Sequence, residues 1–464
     1  MTGLSMPVIA QQGYLSGTAK ASIEPKSYPF SVALAGYGYP RGGRFSMDWI
    51  KTDHPSPSAF TQPQKWKNLA VNAVTFTILD QVMYAADKNG TINYTALKGK
   101  AVNWQKLTEL EGIISLTSYK DRLFALTSND ELMRFELRNS NGDWIKIAKF
   151  NGLSYDIHLK AIGIKDGKLY GLDKNDVVFE ARHKTDGNLS VRAVAISAEK
   201  QTVVIVGADV CGFNHDFITS VKEEIFKKHR IPPSAILINA SHTHFAPSTQ
   251  DWTTWGSHQS PDSVYLNTLV KPALIAVIES AIKNRKPSIL SFGRGKTSIG
   301  KNRSLEGPDI PYDNDLDVLQ LEREKDHHKA VVFLTGCHPV FKNDGIEGFT
   351  ISPNYPGVTK SLLEKEAGLT EAIFIQGCGG DINPVTSDHK KTGNDLAEDI
   401  KGILNRPMER LSGQISFQLD SLNFPVNPWS TERILAFRKT SDNGKGDVNA
   451  EKDVRWADLM LLRY

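Results

Sequence analysis

Ala235-Ile236-Leu237-Ile238-Asn239-Ala240-Ser241-His242-Thr243-His244 reads as a buried strand that runs directly into a polar turn carrying two imidazoles. An amphipathic segment, Asn214 to His229, precedes it and stops ahead of Ile231-Pro232-Pro233, as a helix should. Two further runs of buried-strand type, Val191 to Ile196 and Thr202 to Ala208, lie upstream. Strand, helix and strand in this order form a β-α-β unit and predict a parallel pair. Downstream, Val264 to Asn284 reads as a long helix stopped by Lys286-Pro287. Val318 to Arg323, Ala330 to Thr335 and Ala372 to Gln376 read as strands, with a helix at Pro356 to Ala367. The predicted fold class is therefore α/β, a mixed and mainly parallel sheet with helices, whose strand ends open onto one crevice.

A different pattern occupies residues 60 to 182. Trp66, Trp104 and Trp144 recur 38 and 40 residues apart. Each is followed by a β-patterned run, Gln81 to Tyr84, Asp121 to Phe124 or Gly167 to Tyr170, and then by a polar turn and a second alternating strand. A period near 40 with one Trp per unit predicts three propeller-like blades, fewer than the roughly four to eight that close a ring. The domains expected are thus 13–45 with 186–464, forming one discontinuous α/β unit, and 60–182 as an all-β insertion. The blades offer a surface for a glycan or protein partner.

Composition excludes several classes. The 464 residues are 40% hydrophobic and 23% charged, near the averages of globular chains. The 55 basic and 52 acidic residues are interspersed, giving a formal charge of +3 and no basic stripe for nucleic acid. No uninterrupted apolar stretch approaches the roughly 20 residues of a membrane span. Met1 to Gln12 lacks the basic start and full apolar stretch of a signal peptide. The three cysteines, Cys211, Cys337 and Cys378, are too few and too irregular for a disulfide framework or a Cys-rich zinc site.

Three strand ends carry the polar motifs. Ser241-His242-Thr243-His244 offers two imidazoles which, if strand alternation continues, point to one side as metal ligands; zinc favours such nitrogen donors. Gly336-Cys337-His338-Pro339 follows the run Val331 to Leu334, and Gln376 to Pro384 (QGCGGDINP) follows Ala372 to Ile375. Small residues in the last let backbone approach a ligand and leave N–H groups for an anion. Three polar motifs at three strand ends favour one shared site.

With these residues in view, the sequence resembles the neutral, non-lysosomal ceramidase family, zinc amidases that cleave the N-acyl bond of ceramide. The resemblance rests on Asn239 to Pro247 (NASHTHFAP), Cys337-His338-Pro339, Ile351 to Gly357 (ISPNYPG) and Gly380 to Pro384 (GDINP). Weaker support comes from Gly17 to Pro25, Gly36-Tyr37-Gly38 and Gly300-Lys301-Asn302-Arg303. It implies that His244 binds zinc with His242 beside it, and its register puts Asp186 at the place of a further ligand. It also implies an extracellular or periplasmic setting. Two departures stand out: the family serine of the Gly-Asp-x-Ser-Pro motif is Asn383 here, and the family's Glu and Tyr ligands would lie beyond Tyr464.

The expected activity is zinc-dependent (Zn2+) hydrolysis of an amide or ester, in a small molecule or an N-acyl lipid. Zinc would lower the pKa of a bound water and polarise the carbonyl. Asp381 or His338 would carry protons, and Asn383 with the backbone N–H groups around Gly379 and Gly380 would stabilise the oxyanion. The alternative expectation is a catalytically inactive scaffold that binds through the β-repeats.

Overall fold

A computed structural model of the chain describes residues 13–25, 47–60, 72–98, 102–138, 144–149, 157–251, 261, 263–307, 310–326, 328–340, 350–442 and 448–462. Trp66 and Gly36-Tyr37-Gly38, used above, lie outside these residues. The chain enters with β1 (Tyr14–Ser22) and then builds three four-stranded antiparallel sheets before returning to β1. β2 (Met47–Thr52) comes first, ahead of a 3-10 turn at Pro57–Phe60. β3 (Ala73–Leu79), β4 (Val82–Asp87), β5 (Thr91–Ala96) and β6 (Gln105–Glu109) form one sheet. β7 (Ile113–Tyr119), β8 (Arg122–Thr127), β9 (Glu131–Glu136) and β10 (Ile145–Lys149) form the next. β11 (Leu159–Lys165), β12 (Lys168–Asp173) and β13 (Val178–His183) form the third, which takes β2 as its fourth strand.

Turn chemistry sets the repeat. The first tight turn of each sheet opens on a residue of positive φ, Asp80 (49°), Lys120 (54°) and Asp166 (50°), which matches the twist of a two-residue hairpin. In the next turn Asp87 Oδ1 accepts from the backbone N–H groups of Asn89 and Thr91, and Asp173 Oδ1 does the same for Asn175 and Val177. The sheets are joined by one recurring bond. Thr75 Oγ1 accepts from Leu116 N–H at 2.9 Å, and Ser115 Oγ, one unit on, accepts from Ile162 N–H at 3.0 Å. Both hydroxyls sit at a bulge that recurs in the third sheet, where the residue is Ala161. Phe60 covers that sheet's outer side, against Tyr170, Leu172 and Val178.

β14 (Ser190–Ala198) and β15 (Gln201–Ala208) return to the main sheet, followed by α1 (His215–His229) and β16 (Ile236–Ala240). α2 (Ser263–Tyr265) passes through a π-helical turn at Leu266–Val270 into α3 (Lys271–Lys283). Then come β17 (Lys286–Lys296), β18 (Gly300–Asn302), β19 (Asp315–Arg323), β20 (Lys329–Thr335), α4 (Asn354–Glu366), β21 (Glu371–Gln376), β22 (Ile382–Pro384), α5 (His389–Leu404) and β23 (Glu409–Arg410). α6 (Thr431–Ser441) and α7 (Val448–Leu461) pair near the end of the chain.

The sheet order β16-β15-β14-β1-β17-β19-β20-β21 corrects the expected α/β class. Only β15 with β16 and β20 with β21 are parallel, each across one helix; the other neighbours are antiparallel. With three antiparallel repeat sheets besides, the protein is mostly β. The physical reason is connection length. Only Glu199 and Lys200 join β14 to β15, and only residues 324–328 join β19 to β20, whereas a parallel crossover needs about a dozen residues or more.

The main sheet folds back on itself. Val194, Ile196, Leu290, Leu321, Ala330, Val332, Ile373 and Ile375 pack on its inner side. The alternate residues Val191, Ala193, Val204 and Val206 face α1 and α3, and Val331, Phe333, Ala372 and Phe374 face α4 and α5. Ser263–Lys283 is long and apolar enough to cross a membrane by length and composition, which uninterrupted apolar runs alone did not predict. Half of its most apolar window is buried, and Leu274, Val277 and Ile278 pack against the sheet, at about 1.5–3 kcal/mol for each large side chain. Where the sheet's ends meet, a Cβ on Gly207 would stand 2.5 Å from the Phe374 carbonyl oxygen, so only glycine fits. The seam itself is made by Asn239. Its Oδ1 accepts from Gln376 N–H at 2.8 Å and its Nδ2 donates to the Gln376 carbonyl at 3.1 Å, as a strand backbone would.

Candidate metal centre

The Asn239 seam brings the end of β16 beside the end of β21, and β20 runs parallel to β21. The loops after all three strands therefore open at the same end of the fold. The strand does not continue through Ser241 to His244; it ends at Ala240 and a turn takes over. His242 adopts a left-handed backbone (φ 63°), a conformation costing about 1–3 kcal/mol away from glycine. Two bonds hold it there: His242 N–H donates to the Val210 carbonyl at 2.9 Å, and its Nδ1–H to the Cys211 carbonyl at 2.8 Å.

Three imidazoles meet above this turn. The ring centroids of His242 and His244 are 5.0 Å apart, those of His242 and His338 4.5 Å, and those of His244 and His338 5.0 Å. Nε2 of His244 lies 3.0 Å from Nε2 of His338. His338 Nδ1–H donates to the Gly379 carbonyl at 3.3 Å. A carbonyl can only accept, so His242 and His338 each carry their proton on Nδ1 and leave Nε2 with a lone pair. Cys211, His242 and His244 also offer ligand atoms that all lie within 4.8 Å of one another.

Burial, above all, lowers the pKa of His242, and it pushes His338 down to about 4; Arg303 lowers both, and His242 lowers His338 further. Neutral imidazoles are what a cation needs. Burial pushes the Cys211 thiol up to about 12, and its Sγ stands 3.6 Å from His242 Nδ1, behind the ring. The imidazoles are thus the better donors. Two nitrogens on one tetrahedral zinc stand about 3.3 Å apart at Zn–N distances of about 2.0–2.1 Å, close to the 3.0 Å between His244 and His338. Backbone carbonyls on the outer nitrogens are the usual support of ligating histidines. The residues fit a zinc ion.

The glycine-rich loop closes one side. A Cβ on Gly379 would fall 2.0 Å from the Gly336 carbonyl oxygen, so only glycine allows the two loops to touch. Gly380 beside it is exposed and unobstructed. Ile382 accepts from His338 N–H at 2.9 Å and pairs through β22 with β18. Asp381 turns its carboxylate to Asn302 Nδ2 at 3.1 Å, and Asn383 Oδ1 faces Arg303 Nη1 at 3.5 Å.

Asp186 stands elsewhere. Its Oδ2 lies 2.9 Å from His389 Nε2, and it lines a cavity of about 1120 Å3 with Ser190, Arg192, Asn354 and Lys360. Below that cavity Lys360 Nζ donates to both oxygens of Asp209, at 2.6 and 2.7 Å, with both side chains buried. Ser190 N–H and Oγ–H both donate to Asp209 Oδ2, at 2.9 and 2.8 Å. This buried pair anchors the turn whose Cys211 carbonyl orients His242. The sequence reading missed Cys211 and Asp209 as supports and Arg303 as a neighbour of the histidines. The resemblance motif Gly300 to Arg303 was the one signal that could have found the last.

A scan against protein-family models finds no match, and a search of curated proteins finds none. Among solved structures the chain is similar to the neutral ceramidase from Pseudomonas aeruginosa, at 18% identity, over 50% of this chain and 41% of that one, with a TM-score of 0.44. A ceramidase complexed with C2 matches at 18% identity over 50% and 40% of the two chains, TM-score 0.45. The β-propeller domain of Cps50 (Swd1) from Myceliophteria thermophila matches at 11% identity over 30% and 40%, TM-score 0.18. The matched part of the chain thus spans about two fifths of each ceramidase.

Proposed function

We propose that this chain is a zinc-dependent hydrolase of an amide or ester bond, with His242, His244 and His338 as the metal's protein ligands. One observation carries the reading: three imidazoles from two distant loops converge, and two of them are pinned by Nδ1 to carbonyls so that Nε2 keeps its lone pair. A zinc ion bound there would supply Lewis acidity toward water and toward the scissile carbonyl. The chain's own residues do the rest. Asp381 carries the proton between the attacking water and the leaving group. The Asn383 amide and the N–H groups of Gly379 and Gly380 stabilise the developing oxyanion. Asn383 has no hydroxyl to take the place of the family serine, so the nucleophile is water. The motif resemblance favours N-acyl lipids as the substrate class.

Metal analysis of the purified chain, with turnover of N-acyl substrates before and after chelation, tests the proposal. The expected result is about one zinc per chain, activity lost on chelation and restored by zinc, and both lost in His244→Ala. Absence of stoichiometric zinc, together with a thermal midpoint that zinc does not move, would overturn it and leave the β-repeats as the functional element.

A further inference from the structure

We propose that Arg303 selects substrates that carry an anionic group, a carboxylate or phosphate, beside the bond cleaved at the histidine centre. The proposal rests on the hydrolase reading above and deepens it.

Backbone geometry fixes where Arg303 stands. It directly follows β18, and its N–H donates to the Asp381 carbonyl at 2.8 Å. β18 pairs with β22 through Asn302 and Ile382, and the Ile382 carbonyl accepts from His338 N–H. Arg303 is therefore tied to the strand that holds His338, at the mouth of the site.

Among the described residues the side chain has no counter-ion, and its only polar partner is Asn383 Oδ1, a neutral acceptor at 3.5 Å, the outer limit of a hydrogen bond. The nearby Asp381 carboxylate is turned to Asn302 instead. Arg294, also exposed and on the adjoining β17, is by contrast neutralised by both oxygens of Asp317, at 2.5 and 2.8 Å. A guanidinium with no counter-ion among the described residues thus stands beside the three imidazoles. Its planar fork suits a carboxylate or phosphate, which it can engage through two parallel bonds. Such a charge-assisted contact favours an anionic ligand over its neutral isostere by about tenfold to a hundredfold.

Two ligands that differ only in charge test this. N-Octanoylglycine and N-octanoylglycinamide are titrated calorimetrically into the zinc-supplemented full chain, as wild type, Arg303→Ala and Arg303→Lys. The wild type should bind the acid at least tenfold more tightly than the amide. Arg303→Ala should bind the two equally, with its affinity for the amide and its thermal midpoint unchanged, and Arg303→Lys should keep part of the preference. Equal binding by the wild type, a preference surviving in Arg303→Ala, or no measurable binding of either compound would overturn the proposal. Turnover separates it from the hydrolase reading. A charge preference without cleavage refutes the hydrolase and leaves the anion site, whereas equal cleavage of both compounds, unaffected by Arg303→Ala, does the reverse.

Discussion

Replacing His338 with alanine tests the centre most directly, because its imidazole is the one contributed by the second half of the fold. A complete zinc site in a small domain is worth about 10–16 kcal/mol from four ligands, or about 3 kcal/mol for each. Loss of His338 should therefore weaken zinc binding by about a hundredfold or more. The fold should survive. The backbone bond from residue 338 to Ile382 remains, and the lost Nδ1–H bond to Gly379 is worth about 1 kcal/mol. Competition against a chromophoric chelator at pH 7.5, with a thermal melt of the metal-free protein in parallel, reads both quantities. If His338→Ala keeps zinc within about threefold of the wild type while His244→Ala releases it, His338 is not a ligand and the three-imidazole reasoning is wrong.

Three further outcomes follow from other parts of the molecule. In the metal-free protein the folded state holds His338 at about 4 against 6.5 for a free imidazole, so between those values the unfolded chain binds more protons. Stability should be complete above about pH 6.5 and fall by about 2 kcal/mol at pH 5, a slope that urea titrations at the two pH values would detect and that His338→Ala should reduce. Lys360→Met strands a buried Asp209 carboxylate and should cost about 3–5 kcal/mol, with Asp209→Asn in the same chain recovering part of it; equal denaturant midpoints for Lys360→Met and wild type would contradict this. Asn239→Leu removes both bonds across the seam and leaves Gln376 N–H unpaired, for a loss of about 2–4 kcal/mol in chemical denaturation together with weaker zinc binding; unchanged zinc affinity would show that the seam does not set the site.

Much of the architecture can be read from local pattern. The apolar run Thr202 to Ala208, the helix ahead of Ile231-Pro232-Pro233 and the roughly 40-residue repeat each depend on neighbours in sequence, and a strand, a helix and three four-stranded sheets occupy those places. Strand direction does not follow from periodicity. It turns on the length of the Glu199-Lys200 and 324–328 links, and weighing those would have replaced the mainly parallel sheet with an antiparallel one. The site divides the same way. The His242 and His244 pair is visible as a motif, but the rings meet through a left-handed turn and not through strand alternation. The placing of His338 against them, and of Asp186 against His389 instead, depends on contacts 94 and 203 residues apart that no local pattern encodes.

The Asn239 side chain splices two strands that the chain makes far apart in time of synthesis. A nascent chain that ends at Gly300 carries two of the imidazoles and none of the support from Gly379. Such a nascent chain would grip a cation weakly. Firm capture would await the segment that carries His338 and Gly379.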